Sequence, residues 1–194
     1  MSKVNNITGI ILAGGKSSRM GTDKGFILFK NKPFIQHCID ALQSFVDDII
    51  IVSNNKLYDQ FNAIRVDDLI ENSGPLAGIY TGLHHSKTTT NIVLSCDIPL
   101  INTALISTLV QHHTTQVNIT YVISNNKQMP LIAIYKKDCL PVCLQLLNAN
   151  ERRLKTLLKS VTTNAVTLDE TLQKHTVNIN TLNELNKLNH ELKH

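Results

Sequence analysis

"ITGIILA" at residues 7–13 and "DDIIIVS" at 47–53 are short β-branched runs, and "FIQHCIDALQSFV" at 34–46 lies between them. The middle run places Ile35, Cys38, Ile39, Leu42 and Val46 on one face at helical spacing, so the three segments predict strand, helix and strand. The alternation continues outward from this unit. "NAIRVDD" (62–68) reads as a strand, "GPLAGIYTGLHHS" (74–86) as a turn leading into a helix, and "NIVLSCD" (91–97) as a buried strand. "INTALISTLVQHH" (101–113) follows as a helix, with "NITYVIS" (118–124) and "PLIAIYK" (130–136) as strands. Strands that alternate with helices predict a mostly parallel sheet covered on both faces, an α/β, doubly wound fold.

Near the end, "LPVCLQLLNANERRLKTLLKS" (140–160) reads as one helix or two joined near Asn148 to Asn150, and "HTVNINT" (175–181) returns to extended backbone. Thr181 and Glu184 have the spacing of a capping box, ahead of a helix lined by Leu182, Leu185, Leu188 and Leu192. No linker rich in proline, glycine or serine divides the chain. With 194 residues, a single domain over 1–194 is expected.

A hydrophobic share of 42% and a charged share of 18% describe an ordinary globular protein. The net charge of +4 suits an anionic small molecule, and no basic run marks a nucleic-acid partner. No apolar window reaches the length that spans a bilayer, and "MSKVNNITGI" lacks the features of a secretory signal, so a cytoplasmic location without membrane attachment is expected. No heptad or long apolar edge stands out, which favours a monomer. Cys38, Cys96, Cys139 and Cys143 show neither a disulfide framework nor paired zinc-ligand spacing. Cys139 and Cys143, one helical turn apart, read as small apolar side chains on a buried face. The histidine pairs at 84–85 and 112–113 carry no metal pattern.

The stretch "GGKSSRMGTDKG" (14–25) then acquires a location. In an open parallel sheet, ligands bind beyond the carboxyl ends of the strands, so a glycine-rich loop after the first strand is a natural phosphate site. Gly14 and Gly15 let backbone N–H groups approach an anion, and Lys16, Arg19 and Lys24 supply charge. Neither the Walker loop nor the dinucleotide fingerprint fits the spacing. Asp97 ends an apolar strand at the same edge of the sheet, where a hard cation such as Mg²⁺ could bridge it to phosphate oxygens.

"LAGGKSSRMGTDKG", "GPLAGI", "SCDIPLI" and "VNINT", in this order and at these separations, resemble the molybdenum cofactor guanylyltransferases from about Thr8 to about Leu188. The resemblance implies a Rossmann-like nucleotidyltransferase fold and transfer of GMP from GTP to the terminal phosphate of molybdopterin, with Mg²⁺ as cofactor. It implies that Leu12, Ala13 and Gly14 contact the guanine end through backbone groups, that Gly15 continues the loop, and that Arg19 and Lys24 bind phosphate. It further implies an acidic nucleotide contact at Asp67 or Asp68, a role for Asn54, and a second glycine-containing loop from Gly74 to Gly78. Asp97 is implied as the Mg²⁺ ligand, with Asn178 and Asn180 on the molybdopterin side. Molybdoenzymes or cofactor-insertion proteins are the implied recipients of the product.

The chemistry suits these residue types. The acceptor is an ionised phosphate monoester that attacks without a protein base, so catalysis reduces to positioning and charge stabilisation. Some positions depart from the family's pattern. Met129 precedes Pro130 where a polar residue is common, and "VSNNK" (52–56) stands where an asparagine-arginine pair is common. Arg152 and Arg153 match a basic patch suited to the pterin phosphate. A molybdopterin cytidylyltransferase, a sugar-phosphate nucleotidyltransferase and a non-catalytic nucleotide-binding protein are the alternatives, the first separable by comparing GTP with CTP.

Overall fold

The computed structural model describes residues 6–14 and 23–191. Among these residues a seven-stranded sheet has the order β5-β4-β1-β6-β8-β7-β9. The strands are β1 (Ile7–Leu12), β4 (Asp48–Val52), β5 (Ile64–Val66), β6 (Thr90–Ser95), β7 (Ile119–Ser124), β8 (Lys127–Lys136) and β9 (Thr163–Thr167). A separate hairpin pairs β2 (Leu28–Phe29) with β3 (Lys32–Pro33). Only β8 is reversed: it pairs antiparallel with both β6 and β7, while every other pairing in the sheet is parallel.

The helices cover both faces, as the alternation predicts. Side chains along β1 point alternately to opposite sides, so Ile11 packs with α1 (Phe34–Leu42) and α3 (Thr103–Gln111). Ile10 packs instead with α2 (Gly74–His85), α4 (Leu140–Asn148) and α5 (Leu154–Ser160). The same division separates Ile49 and Ile51 from Ile50 and Val52, and Ile92 and Leu94 from Val93. These side chains are at most 9% exposed, and burying each contributes roughly 1.5–3 kcal/mol against the chain entropy lost on folding. Every residue of the predicted α1 face is buried, including Val46 beyond its end.

A third, smaller core joins Ile27, Phe29 and Phe34 to Ile179, Leu185 and Leu188, fastening the β2–β3 hairpin to α7 (Leu182–Glu191). Leu182, expected on the buried side of this helix, is instead 53% exposed, because it occupies the first helical position, outside that core. Leu192 lies outside the described residues. The predicted helical region at 140–160 is two helices separated at Asn150, whose φ of 56° is left-handed and ends α4. A short helix α6 (Glu170–Gln173) follows β9.

The predicted extended segment at 175–181 joins no strand, and its first two residues, His175 and Thr176, are not extended but end a 3-10 turn (Lys174–Thr176), so the extended backbone starts at Val177. It runs over the end of the sheet, with the Ile179 N–H donating to the Asp97 carbonyl at 2.8 Å. Met129 is also placed differently from the loop the sequence suggests: it lies in β8 opposite Val122 and packs against the core. Among the described residues, no helix is long and apolar enough to cross a membrane.

Candidate active site

Parallel strands all finish at one edge of the sheet. The chain leaves β1 through α1 toward β4 and β5 on one side, then returns through α2 to β6 on the other. The reversal leaves a crevice beyond the end of β1. A cleft of about 590 Å³ lies there, lined by Leu12, Gly14, Val52, Asn54, Asp68, Ser95 and the start of α2 among others.

Beside the cleft, next to its lining residues Asp23 and Ser95, three residues far apart in sequence converge. Lys24 opens a 3-10 turn (Lys24–Phe26) and its Nζ donates to Asn180 Oδ1 at 2.5 Å while lying 3.5 Å from Asp97 Oδ2. Asp97 is anchored by Ser95, whose hydroxyl donates to Oδ1 at 2.6 Å. Asn178 and Asn180 are exposed and flank buried Ile179, so the extended backbone turns both to the same side. The Ile179 bond to the Asp97 carbonyl fixes this segment beside β6. Glu184 accepts the Asn180 N–H at 2.6 Å and the Thr181 N–H at 3.0 Å, while the Thr181 hydroxyl accepts the Glu184 N–H at 3.2 Å. The predicted capping box is therefore present and also holds Asn180.

Across the cleft, Asn54 Oδ1 accepts the Asp68 N–H at 2.7 Å. The two acidic residues that the sequence leaves as alternatives are separated here. Asp68 is half-buried and lines the cleft, whereas Asp67 is exposed and pairs with Arg65. Burial, then the neighbouring carboxylates of Glu71 and Asp67, push the Asp68 carboxyl above its usual range.

Gly74 to Gly78, expected as a loop, form the first turn of α2, with Pro75 where a missing N–H costs nothing. Gly78 is buried against Leu12, where a Cβ would sit 3.1 Å from Leu12 Cδ2. Gly14 stands opposite Asp68: a Cβ there would lie 3.8 Å from Asp68 Oδ2. The sheet already uses backbone groups of the two preceding residues, because the Leu12 carbonyl accepts from Cys96 N and Ala13 N donates to the Val52 carbonyl, both at 3.1 Å. Gly15, Lys16 and Arg19 lie outside the described residues.

Sequence reading missed the residues that brace Lys24. Asp23 Oδ1 accepts the Tyr58 hydroxyl at 2.5 Å and the Gly25 N–H at 3.1 Å, and Oδ2 accepts Asn55 Nδ2 at 3.0 Å. Asn55 carries a detectable signal, since an Asn before "KLYDQ" suits the cap of the 3-10 turn Lys56–Gln60, which it makes. Tyr58 carries none, because its partner is distant in the chain.

All four cysteines are free and buried, and desolvation pushes the thiols of Cys139 and Cys143 up to about 12, so they are inert packing groups. Arg153 is taken up by Glu151, and Arg152 donates at 3.1 Å to the carbonyl of Asn72, which lines the cleft beside the start of α2.

Comparison with known proteins gives these features a family. The model of the MobA-like NTP transferase domain matches residues 9–166. A Flavobacterium johnsoniae protein named "Probable molybdenum cofactor guanylyltransferase" is 42% identical over 186 residues, covering 96% of this chain and 98% of the relative. The Vibrio vulnificus protein named molybdenum cofactor guanylyltransferase is 34% identical over 179 residues, 91% of each chain. The crystal structure of molybdopterin-guanine dinucleotide biosynthesis protein A from Archaeoglobus fulgidus superposes with a TM-score of 0.81, covering 96% of this chain and 98% of that one. At 19% identity, it speaks for the fold. A domain match across most of the chain, with such relatives over nearly all of it, makes the protein a member of the MobA-like NTP transferase family.

Proposed function

We propose that the protein transfers GMP from GTP to the terminal phosphate of molybdopterin, forming the guanine dinucleotide cofactor and releasing pyrophosphate. Relatives named for guanylyl transfer to the molybdenum cofactor support the choice of substrates. The observation that carries the chemistry is the meeting of Lys24, Asp97 and Asn180 beside a cleft lined by Asn54, Asp68 and the start of α2.

The reaction needs two anions held in line. An oxygen of the acceptor phosphate bonds to the α-phosphorus of GTP while the bond from that phosphorus to the α–β bridging oxygen breaks, and pyrophosphate leaves. The acceptor oxygen is already ionised at neutral pH, since the second phosphate pKa is about 6, so no side chain has to remove a proton. What the protein supplies is orientation and positive charge where negative charge grows. Lys24 would supply that charge, and Asp97 and Asn180 hold its ammonium. Asn180, fixed through Glu184, offers an amide to the acceptor.

The donor set around Asp97 fits Mg²⁺. Among the described residues no group of three or more His, Cys, Asp or Glu could hold a metal alone. Mg²⁺ is commonly bound by one or two carboxylates together with substrate phosphates, which matches a single carboxylate steadied by Ser95. When bound, the ion would neutralise phosphate charge.

The test is turnover of GTP and molybdopterin by the purified protein, read as pyrophosphate release and dinucleotide formed. Lys24→Ala and Asp97→Ala should each lower kcat by roughly a hundredfold to a thousandfold. Near-normal turnover in both variants would refute these roles, and faster turnover with CTP than with GTP would replace guanylyl by cytidylyl transfer.

A further inference from the structure

Lys24 has a long flexible stem, so where its ammonium sits depends on how firmly the backbone on either side is held. The residue before it, Asp23, is tied by three hydrogen bonds, the shortest being that from the Tyr58 hydroxyl at 2.5 Å. The residue after it, Gly25, lies against the same side chain: a Cβ there would fall 2.1 Å from the Tyr58 oxygen. Both neighbours of Lys24 therefore take their position from one phenol, carried on the turn that follows β4.

That phenol is fully buried, and its ring centroid lies 4.6 Å from Phe26 and 6.1 Å from Phe61. Phenylalanine would serve this packing equally well. What the hydroxyl adds is the bond to Asp23, a residue that lines the cleft and whose carboxylate water could otherwise solvate. Burial, and lesser effects of Cys96 and Asp23, keep the phenol protonated, so it stays a donor.

We propose that Tyr58 is a positioning residue for nucleotidyl transfer, acting through Asp23 and Gly25 to aim Lys24 at the substrate phosphates. The inference rests on the guanylyl-transfer reading above and assigns Tyr58 no contact with substrate.

Tyr58→Phe removes the hydroxyl and keeps the ring. With GTP and molybdopterin, kcat should fall about tenfold, the scale of a lost hydrogen bond to a charged group. The KM for GTP should change by less than about threefold, because Lys24 acts on charge that develops during the transfer. Asp23→Asn should reproduce the split. In a Lys24→Ala background the Tyr58→Phe change should alter kcat by less than about twofold, since the group being aimed is gone. A purely structural tyrosine would instead lower the thermal midpoint and leave kcat of the folded enzyme intact. A Tyr58→Phe enzyme with kcat within about twofold of the parent, or a tenfold loss that recurs without Lys24, overturns the proposal. Failure of the parent enzyme itself to form any dinucleotide sinks the guanylyl-transfer reading, and the positioning role with it.

Discussion

Asp68 is a carboxylate placed where folding does not favour its charge. Half-buried in the cleft and near Glu71 and Asp67, it has a carboxyl raised above the ordinary aspartate range. A group whose folded pKa is raised contributes stability below its unfolded pKa and loses that contribution as pH climbs through the folded value. At neutral pH the ionised form therefore opposes folding. Asp68→Asn is expected to stabilise the unliganded protein at pH 7, by no more than about 1 kcal/mol once solvent screening is counted, or roughly 2–4 °C in thermal midpoint. The advantage should shrink as pH is lowered and vanish well below the ordinary aspartate pKa of 3.8, where the parent carboxyl is protonated in both states. GTP affinity, measured by calorimetry, should fall in the same variant, the usual exchange of stability for function. At this scale sequence reaches only part of the site. Lys24 and Asp97 are legible because a glycine-rich loop and the end of an apolar strand have a known place in a parallel sheet. The choice between Asp67 and Asp68 depends on how the chain turns after β5, and no spacing rule contains that.

The elements legible in sequence are those whose burial imposes a period. The β1, β4 and β6 strands and the α1 and α3 helices are unmistakable because one face or both must be apolar. β9 escapes because "TNAVT" is an edge strand with only Val166 buried. The β2–β3 hairpin escapes for a different reason: its turn residues Lys30 and Asn31 have φ of 49° and 60°, a left-handed pair usually signalled by glycine. Gly74 to Gly78 is a loop only in what the family resemblance implies; the residues themselves read as a turn leading into a helix, and Pro75 marks that helix's first turn. The cap of α7 is legible, but its second function is not. Glu184→Ala removes acceptors from both Thr181 N and Asn180 N, and should cost about 1 kcal/mol in urea unfolding while also lowering kcat, because Asn180 loses its anchor. Thr181→Ala should destabilise by a similar amount yet leave kcat closer to the parent, as the Asn180 N–H keeps its carboxylate.

Taken as a whole, the molecule builds its site from the same contact that packs its core. α2 can lie close to β1 because Gly82 and Gly78, one turn apart, face Ile10 and Leu12. A Cβ at Gly82 would come within 2.4 Å of Ile10 Cγ2, and one at Gly78 within 3.1 Å of Leu12 Cδ2. The doubly wound order follows from periodicity, but this close approach does not, because a glycine inside a helix leaves no periodic trace. Ile10 is fully buried between β1's neighbours and cannot step aside, so Gly82→Ala must lift the helix or strain the side chain. Such overpacking costs about 1–3 kcal/mol. Lifting α2 also carries Gly78 and Pro75 away from the cleft they line, so the KM for GTP should rise while kcat at saturation changes little. Ile10→Ala, which alone leaves a cavity and costs about 2–5 kcal/mol, removes the three atoms nearest the new methyl. In the double variant the two losses should sum to less than their separate values, by about 0.5–3 kcal/mol, and the KM should move back toward the parent. Strict additivity in stability, or a KM that ignores the second substitution, would mean that the helix is held off the sheet by something other than these two residues.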